Sequence, residues 1–226
     1  MRIAKFVIAS VMIALLVCAL IAVAMFIYQS VLDVLMNDNA QSLTRRAKYN
    51  NMARIRGVHI QAGEEQAKGY GSIELLARYF ELEIMPDKNK GSWSIREFRD
   101  ELQRVFPDYD ISLQSNLRNT ELVDIIYDSL NAENPVIIFH AAETSESELE
   151  MRYSAVIAVD LANNRIILSD PQGTTVRYAL DEFIKSTRFE NFDMPLYRQL
   201  MFAFRIYAKN TIFIIDAGDH DFSEED

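Results

Sequence analysis

Three short apolar runs decide the fold: Pro135-Val136-Ile137-Ile138-Phe139, Tyr153-Ser154-Ala155-Val156-Ile157-Ala158-Val159 and Arg165-Ile166-Ile167-Leu168-Ser169. Each is too short for a typical helix, rich in β-branched residues, and bounded by turn chemistry. Asp160-Leu161-Ala162-Asn163-Asn164 joins the last two into a hairpin, and Asp170-Pro171-Gln172-Gly173 closes the set. A further apolar run, Thr211–Ile215, predicts one more strand. Upstream the apolar period is helical. Ile73, Leu75, Leu76, Tyr79, Phe80 and Leu82 share one face, as do Ile95, Phe98, Leu102, Val105 and Phe106 before Pro107. Leu122, Val123, Ile125, Ile126 and Leu130 mark a third helix over Thr120–Leu130, and Leu180–Ser186 a short fourth one. Three helices followed by an antiparallel meander make an α+β plan, because a parallel sheet would need helix and strand to alternate.

Towards the amino end, Phe6 to Tyr28 is a run of 23 residues whose one clearly polar member is Ser10. A helix of that length crosses a hydrocarbon layer of ~30 Å. A cleaved signal peptide and a lipoprotein signal are the alternatives. The run exceeds the usual secretory apolar region, although Ala22-Val23-Ala24 resembles a cleavage site, and Val17 is branched where a lipoprotein signal ahead of Cys18 wants a small residue. The reading is a retained anchor over residues 1–28. Arg2 and Lys5 precede the span while Asp33 and Asp38 follow it, which favours a cytoplasmic amino terminus and an extracytoplasmic body. Arg45, Arg46 and Lys48 pull the other way. Residues 29–56 read as a juxtamembrane stalk, first helical and then a tether, with its basic residues on anionic headgroups.

The charge is divided accordingly. Of the 226 residues, the first 56 carry a net charge of +5 and the remainder -15. A body that acidic argues against nucleic acid, whose phosphates demand Lys and Arg. The sole cysteine, Cys18, lies in the apolar run, which excludes an internal disulfide, a multi-cysteine zinc site and a cysteine nucleophile in the body. Gly57, Gly63, Gly69 and Gly71 cluster ahead of the first body helix, where the backbone turns sharply or approaches something closely. Residues 216–226, with six acids in eleven positions, read as a disordered acidic tail after a body spanning 57–215.

The segment 57–187 resembles the bacteriocin-processing cysteine peptidases, family C-39 of the papain-like clan. Lys68-Gly69-Tyr70-Gly71-Ser72 and Arg78-Tyr79-Phe80 match the spacing of that family's helix start and helix end, and Gln61 lies near the place of its oxyanion glutamine. Pro135-Val136-Ile137-Ile138, Arg152-Tyr153-Ser154-Ala155-Val156-Ile157-Ala158-Val159-Asp160, Asp170-Pro171 and Phe183 match its strand, hairpin, Asp-Pro turn and short helix. The resemblance implies a papain-like fold, helices packed on an antiparallel sheet.

It also implies that the catalytic pair is lost. The family's cysteine aligns with Lys68 and its histidine with Arg152; a two-place gap puts Tyr70 at the cysteine position instead. The orienting acid, Asp170, and the glutamine, Gln61, are what remain. A papain-like site pairs a thiolate with an imidazole. Arginine cannot serve as a base, and lysine is cationic unless strongly desolvated. The resulting expectation is an inactive peptidase domain that binds a peptide or protein partner in the former substrate cleft through Lys68, Tyr70, Arg152, Tyr153 and Asp170.

Two alternatives stay open: a hydrolase with a non-cysteine nucleophile, and a structural ectodomain of a membrane assembly. Ser72, four residues after Lys68, is the fallback nucleophile of a Ser–Lys dyad. Neither a cofactor nor a metal is called for: zinc spacing, a phosphate loop and a dinucleotide fingerprint are all missing. Of the three histidines, His59 precedes the glycine cluster and His140 closes a strand, reading as a hydrogen-bonded surface residue. His220 sits in the acidic tail, where Asp216, Asp219 and Asp221 would hold a cation only loosely. Glu143–Glu150 reads as a solvated loop and Trp93 as packing.

Overall fold

The computed structural model describes residues 2–55, 70–83, 86, 94–143, 149–169, 175–190 and 194–216. In chain order these form α1 (Arg2–Met36), β1 (Ala53–Arg54), α2 (Tyr70–Tyr79), α3 (Ile95–Val105), β2 (Asp110–Gln114), α4 (Asn119–Asn131), β3 (Val136–Glu143), β4 (Leu149–Asp160), β5 (Arg165–Ser169), β6 (Thr175–Ala179), α5 (Leu180–Thr187), α6 (Leu196–Ala203) and β7 (Thr211–Asp216). The result is an α+β domain with an antiparallel sheet and, among the described residues, six α-helices. One of these, α1, is long and apolar enough to cross a membrane.

The strands run β2-β7-β3-β4-β5-β6, with β1 attached to β4. β4 organises the sheet. Its first half pairs with β3, from Ile137↔Ala155 to Glu143↔Leu149. Its second half pairs with β5 on one side and with β1 on the other, through Ala53↔Val159. The register shifts between Val156 and Ala158, so Ile157 is the extra residue of a bulge, and its carbonyl accepts Ile55 N–H at 3.1 Å. A bulge bends and twists a strand, which lets β4 serve two partners in succession along one edge.

Aromatic packing joins helix to sheet. The Phe98 ring of α3 stacks on Tyr153 of β4 at 3.8 Å and 8°, and meets Phe213 of β7 at 5.0 Å. Phe139 of β3 lies 4.8 Å from Tyr153, extending the cluster towards Phe189 and Tyr207. α3 starts where it does because Ser94 and Glu97 form a reciprocal cap: Ser94 Oγ accepts Glu97 N–H at 3.3 Å and Glu97 Oε2 accepts Ser94 N–H at 2.8 Å.

The segment after α1 departs from the tether expected of residues 29–56. Ala40, Leu43, Tyr49, Ala53 and Ile55 are buried in the same core as the sheet. Two short 3-10 turns, Ala40–Arg45 and Ala47–Tyr49, strap the chain across α4. There Lys48 Nζ bonds Asp124 at 2.6 Å and Asp128 at 2.8 Å, and Tyr127 Oη donates to the Lys48 and Asn51 carbonyls at 3.0 Å. A composition rich in polar residues reads locally as a spacer. Its few apolar side chains, placed by a 3-10 path and not by a regular period, are what insert it into the core.

Candidate functional site

The expected site surrounds the start of α2 and the first half of β4. β5 pairs with β4 only from Val156 onward, so the earlier backbone groups of β4 on that side need other partners. Two serines supply them. Ser169 Oγ accepts Ala155 N–H at 2.8 Å, and Ser72 Oγ, from the first turn of α2, donates to the Tyr153 carbonyl at 2.5 Å. Ser72 is buried. Its hydroxyl therefore ties the start of α2 to the residue that follows Arg152.

The strand period separates Arg152 from Tyr153. Directly opposed residues share a face, and His140 pairs with Arg152 while Phe139 pairs with Tyr153. Tyr153 thus points into the aromatic core between Phe98 and Phe139, where burial pushes its phenol far above the ordinary range. It is a core residue; the expectation that it lines a binding cleft is corrected. Tyr70 is buried too, at the first residue of α2.

The opposite face carries Glu150, Arg152, Ser154 and His140. Arg152 Nε donates to Glu150 Oε2 at 2.6 Å, and both side chains are largely shielded. Ser154 Oγ lies 2.9 Å from His140 Nε2, and His140 Nδ1 lies 3.2 Å from the Ala141 carbonyl. With Nδ1–H donating to that carbonyl, the neutral imidazole accepts the Ser154 proton at Nε2. Burial, with a smaller push from Arg152 and against the pull of the Ala141 carbonyl, lowers the His140 pKa to about 4. The surface role expected for His140 is corrected: it is 2 % exposed. Its place in a strand end suggested exposure, but the sheet curls over it. Tyr178 of β6 meets the His140 ring edge-on at 6.0 Å although β4 and β5 lie between their strands. Three flat inter-strand steps of ~4.8 Å would hold them ~14 Å apart.

Gln61, Lys68 and Asp170 lie outside the described residues, as do His59, Trp93, His220 and residues 217–226 of the acidic tail. The structure therefore joins Ser72 to Tyr153 from the expected set, and places Arg152 on the opposite face of β4 with Glu150, Ser154 and His140. Nothing in a period-2 strand pattern distinguishes a buried polar pair from a solvated one; the signal available was the i, i+2 spacing of Arg152 and Ser154 opposite a histidine on the preceding strand. Elsewhere, a cleft of 380 Å³ between the strap and α4 is lined by Leu43, Arg46, Arg118, Thr120, Glu121 and Asp124 with Ile125, none of them from the expected site. Among the described residues, no group of three His, Cys, Asp or Glu side chains could hold a metal ion.

The fold and site define an α+β domain whose antiparallel sheet carries a buried His140–Ser154 pair on one face and a helix start bonded to the β4 backbone. No protein-family model matches the chain, and no curated protein matches it.

Proposed function

We propose that this chain is a membrane-anchored, papain-like domain of the C-39 type that has lost hydrolysis and binds a peptide or protein partner at the start of α2. In this reading α1 is a single membrane span with a cytoplasmic amino terminus, and the body lies outside. The observation that carries it is the Ser72–Tyr153 hydrogen bond. It supports an arrangement in which the first turn of α2 abuts the strand position where the resemblance would have a base, while the residue there is Arg152. A guanidinium paired with Glu150 can orient a carboxylate or a backbone, but it cannot take a proton. Lys68 and Asp170 complete the proposed binding surface, Tyr70 being buried beneath it, and neither a cofactor nor nucleic acid enters.

The test uses the full chain in lipid nanodiscs and a fluorescent peptide library with free carboxyl termini. Selected peptides should lose at least ~10-fold in affinity, about 1.4 kcal/mol, when Lys68→Ala is combined with Arg152→Ala. Unchanged affinity would sink the proposal.

A second reading, a serine hydrolase, draws on the Ser154–His140 contact. Both groups are buried, which opposes attack on a substrate. Labelling of Ser154 or Ser72 by a fluorophosphonate, located by mass spectrometry, would establish it instead.

A further inference from the structure

Outside α1, the exposed large apolar side chains of the described residues are Met52, Leu196, Tyr197, Phe204 and Ile206. Four of these five fall in one short segment, α6 and the turn after it, and they are between 43 % and 65 % exposed. The other side of that segment is fully used, because Phe202, Ala203 and Tyr207 are buried. An element apolar on both sides needs a cover on the outer one.

The segment lies beside α1. The Arg205 guanidinium sits 4.8 Å over the Tyr28 ring. On the same flank Lys209 Nζ bonds Asp33 Oδ1 at 2.8 Å, and Arg188 donates to the Asp33 carbonyl at 3.0 Å. α1 is held to the body by a helical stripe that includes Met25, Phe26, Gln29, Leu32 and Met36, while Val23, Ile27, Val31, Val34 and Leu35 on its other side stay exposed. From Phe6 to Leu35 such a helix is ~44 Å long, whereas the hydrocarbon core is ~30 Å thick. If Phe6 enters at one face, the hydrocarbon ends near Met25, and the turns that follow occupy the headgroup layer. Whatever flanks those turns is brought to the membrane surface.

The charge agrees. Met194–Lys209 contains Arg198, Arg205 and Lys209 and not one Asp or Glu, in a body whose net charge beyond residue 56 is -15. Tyr28 and Tyr197 add the amphipathic rings that favour a membrane interface. The turn is also firmly shaped. Arg205 holds φ 59°, with Arg205 N–H donating to the Phe202 carbonyl at 3.0 Å and Ile206 N–H to the Met201 carbonyl at 2.9 Å. That closure of α6 keeps Phe204 and Ile206 turned outward.

We infer that α6 and the turn Phe204–Ile206 form a second membrane contact, with Leu196, Tyr197, Phe204 and Ile206 at the acyl boundary and Arg205 among anionic headgroups. The inference rests on the reading of α1 as a membrane span. It makes the body lie against the bilayer, where a single span alone would let it stand off.

The experiment places nitroxide labels on the full chain, in a Cys18→Ser background, at Leu16→Cys, Met52→Cys and Phe204→Cys. The chain is reconstituted in nanodiscs of phosphatidylcholine with phosphatidylglycerol, and collision with oxygen and with an aqueous nickel chelate is measured. The label at 204 should be several-fold less accessible to nickel than the label at 52, and Arg205→Glu should raise its nickel accessibility. A lipid-immersed label at 16 with labels at 204 and 52 equally exposed to nickel would overturn the inference and leave the anchor standing. A label at 16 exposed to water would overturn the anchor, and the inference with it. Dipolar broadening between labels at 204 on two chains would put a second copy on this face and overturn the inference alone.

Discussion

Asp38 caps a helix that begins 81 residues later in the chain. Its Oδ1 accepts Thr120 N–H at 2.8 Å, its other carboxylate oxygen accepts the Thr120 hydroxyl, and its own carbonyl accepts Asn119 Nδ2 at 3.1 Å. The first N–H groups of a helix have no partner within it, and the residue at the cap position of α4 is Arg118, whose side chain has no acceptor. A carboxylate supplied from the segment just after α1 meets that need and also opposes the positive end of the helix dipole. The geometry of a local cap is thereby converted into a tertiary link between the juxtamembrane strap and the body.

Asp38→Ala should destabilise the domain by about 1–2 kcal/mol, the range for losing a helix cap. Asp38→Asn, which keeps an acceptor and loses the charge, should be milder. Hydrogen exchange of the Thr120 amide reports the effect directly: it should quicken in Asp38→Ala. Unaltered protection there would mean that another group caps α4.

His140 predicts a pH dependence with a definite sign. In the unfolded chain the imidazole takes up a proton near pH 6.5, whereas in the folded chain burial delays this to about pH 4. The unfolded state therefore binds more protons between those values, so stability is complete above pH 6.5 and falls as the pH drops towards 4. The loss amounts to about 3 kcal/mol over the window. Denaturant titrations at several pH values should show it, and His140→Gln, which cannot titrate, should flatten the curve across that window. A wild-type curve already flat there would place the imidazole in contact with solvent.

Ser72 should behave as a structural residue. Ser72→Ala removes a donor to the buried Tyr153 carbonyl, and losing such a hydrogen bond costs about 0.5–1.5 kcal/mol. The expected outcome is a lower unfolding midpoint. Fluorophosphonate labelling of Ser72 in the intact chain would contradict this assignment.

Phe98→Ala tests the aromatic link between α3 and the sheet. The ring is fully buried against Tyr153 and Phe213, so its removal should destabilise the domain by about 3–5 kcal/mol. Phe98→Leu, which refills part of the space, should recover a sizeable share. Equal losses for the two variants would show that ring stacking, not volume, dominates.

Much of this fold was legible in the sequence because periodicity is a local property. The helices at 70–79, 95–105 and 119–131, the strand segments at 136–139, 153–159 and 165–169, and the apolar run of α1 each announce themselves by apolar spacing, whereas 140–143 and 149–152 extend β3 and β4 into a stretch that reads as a loop. The absence of a body cysteine is likewise a fact of sequence alone. β2, β6 and α6 were not legible. Asp110–Gln114 and Thr175–Ala179 lie at the ends of the sheet path, and apart from the buried Ile111 their exposed or half-buried residues carry little apolar pattern. They are strands because β7 and β5 offer them hydrogen bonds.

Tertiary structure alone decided the rest. Whether Asn39–Ile55 hangs free or straps a helix depends on Asp38, Lys48 and Tyr49 meeting Thr120, Asp124 and Asp128 some 75 to 82 residues away. Whether Tyr153 or Arg152 faces a cleft depends on strand register, since a one-residue step reverses the face. Whether His140 is wet or dry depends on a sheet curled enough to bring Tyr178 over it. Sequence determined which residues are apolar and how they repeat. Only the closed structure determined which polar ones are buried, because desolvation is set by neighbours that the chain supplies from elsewhere.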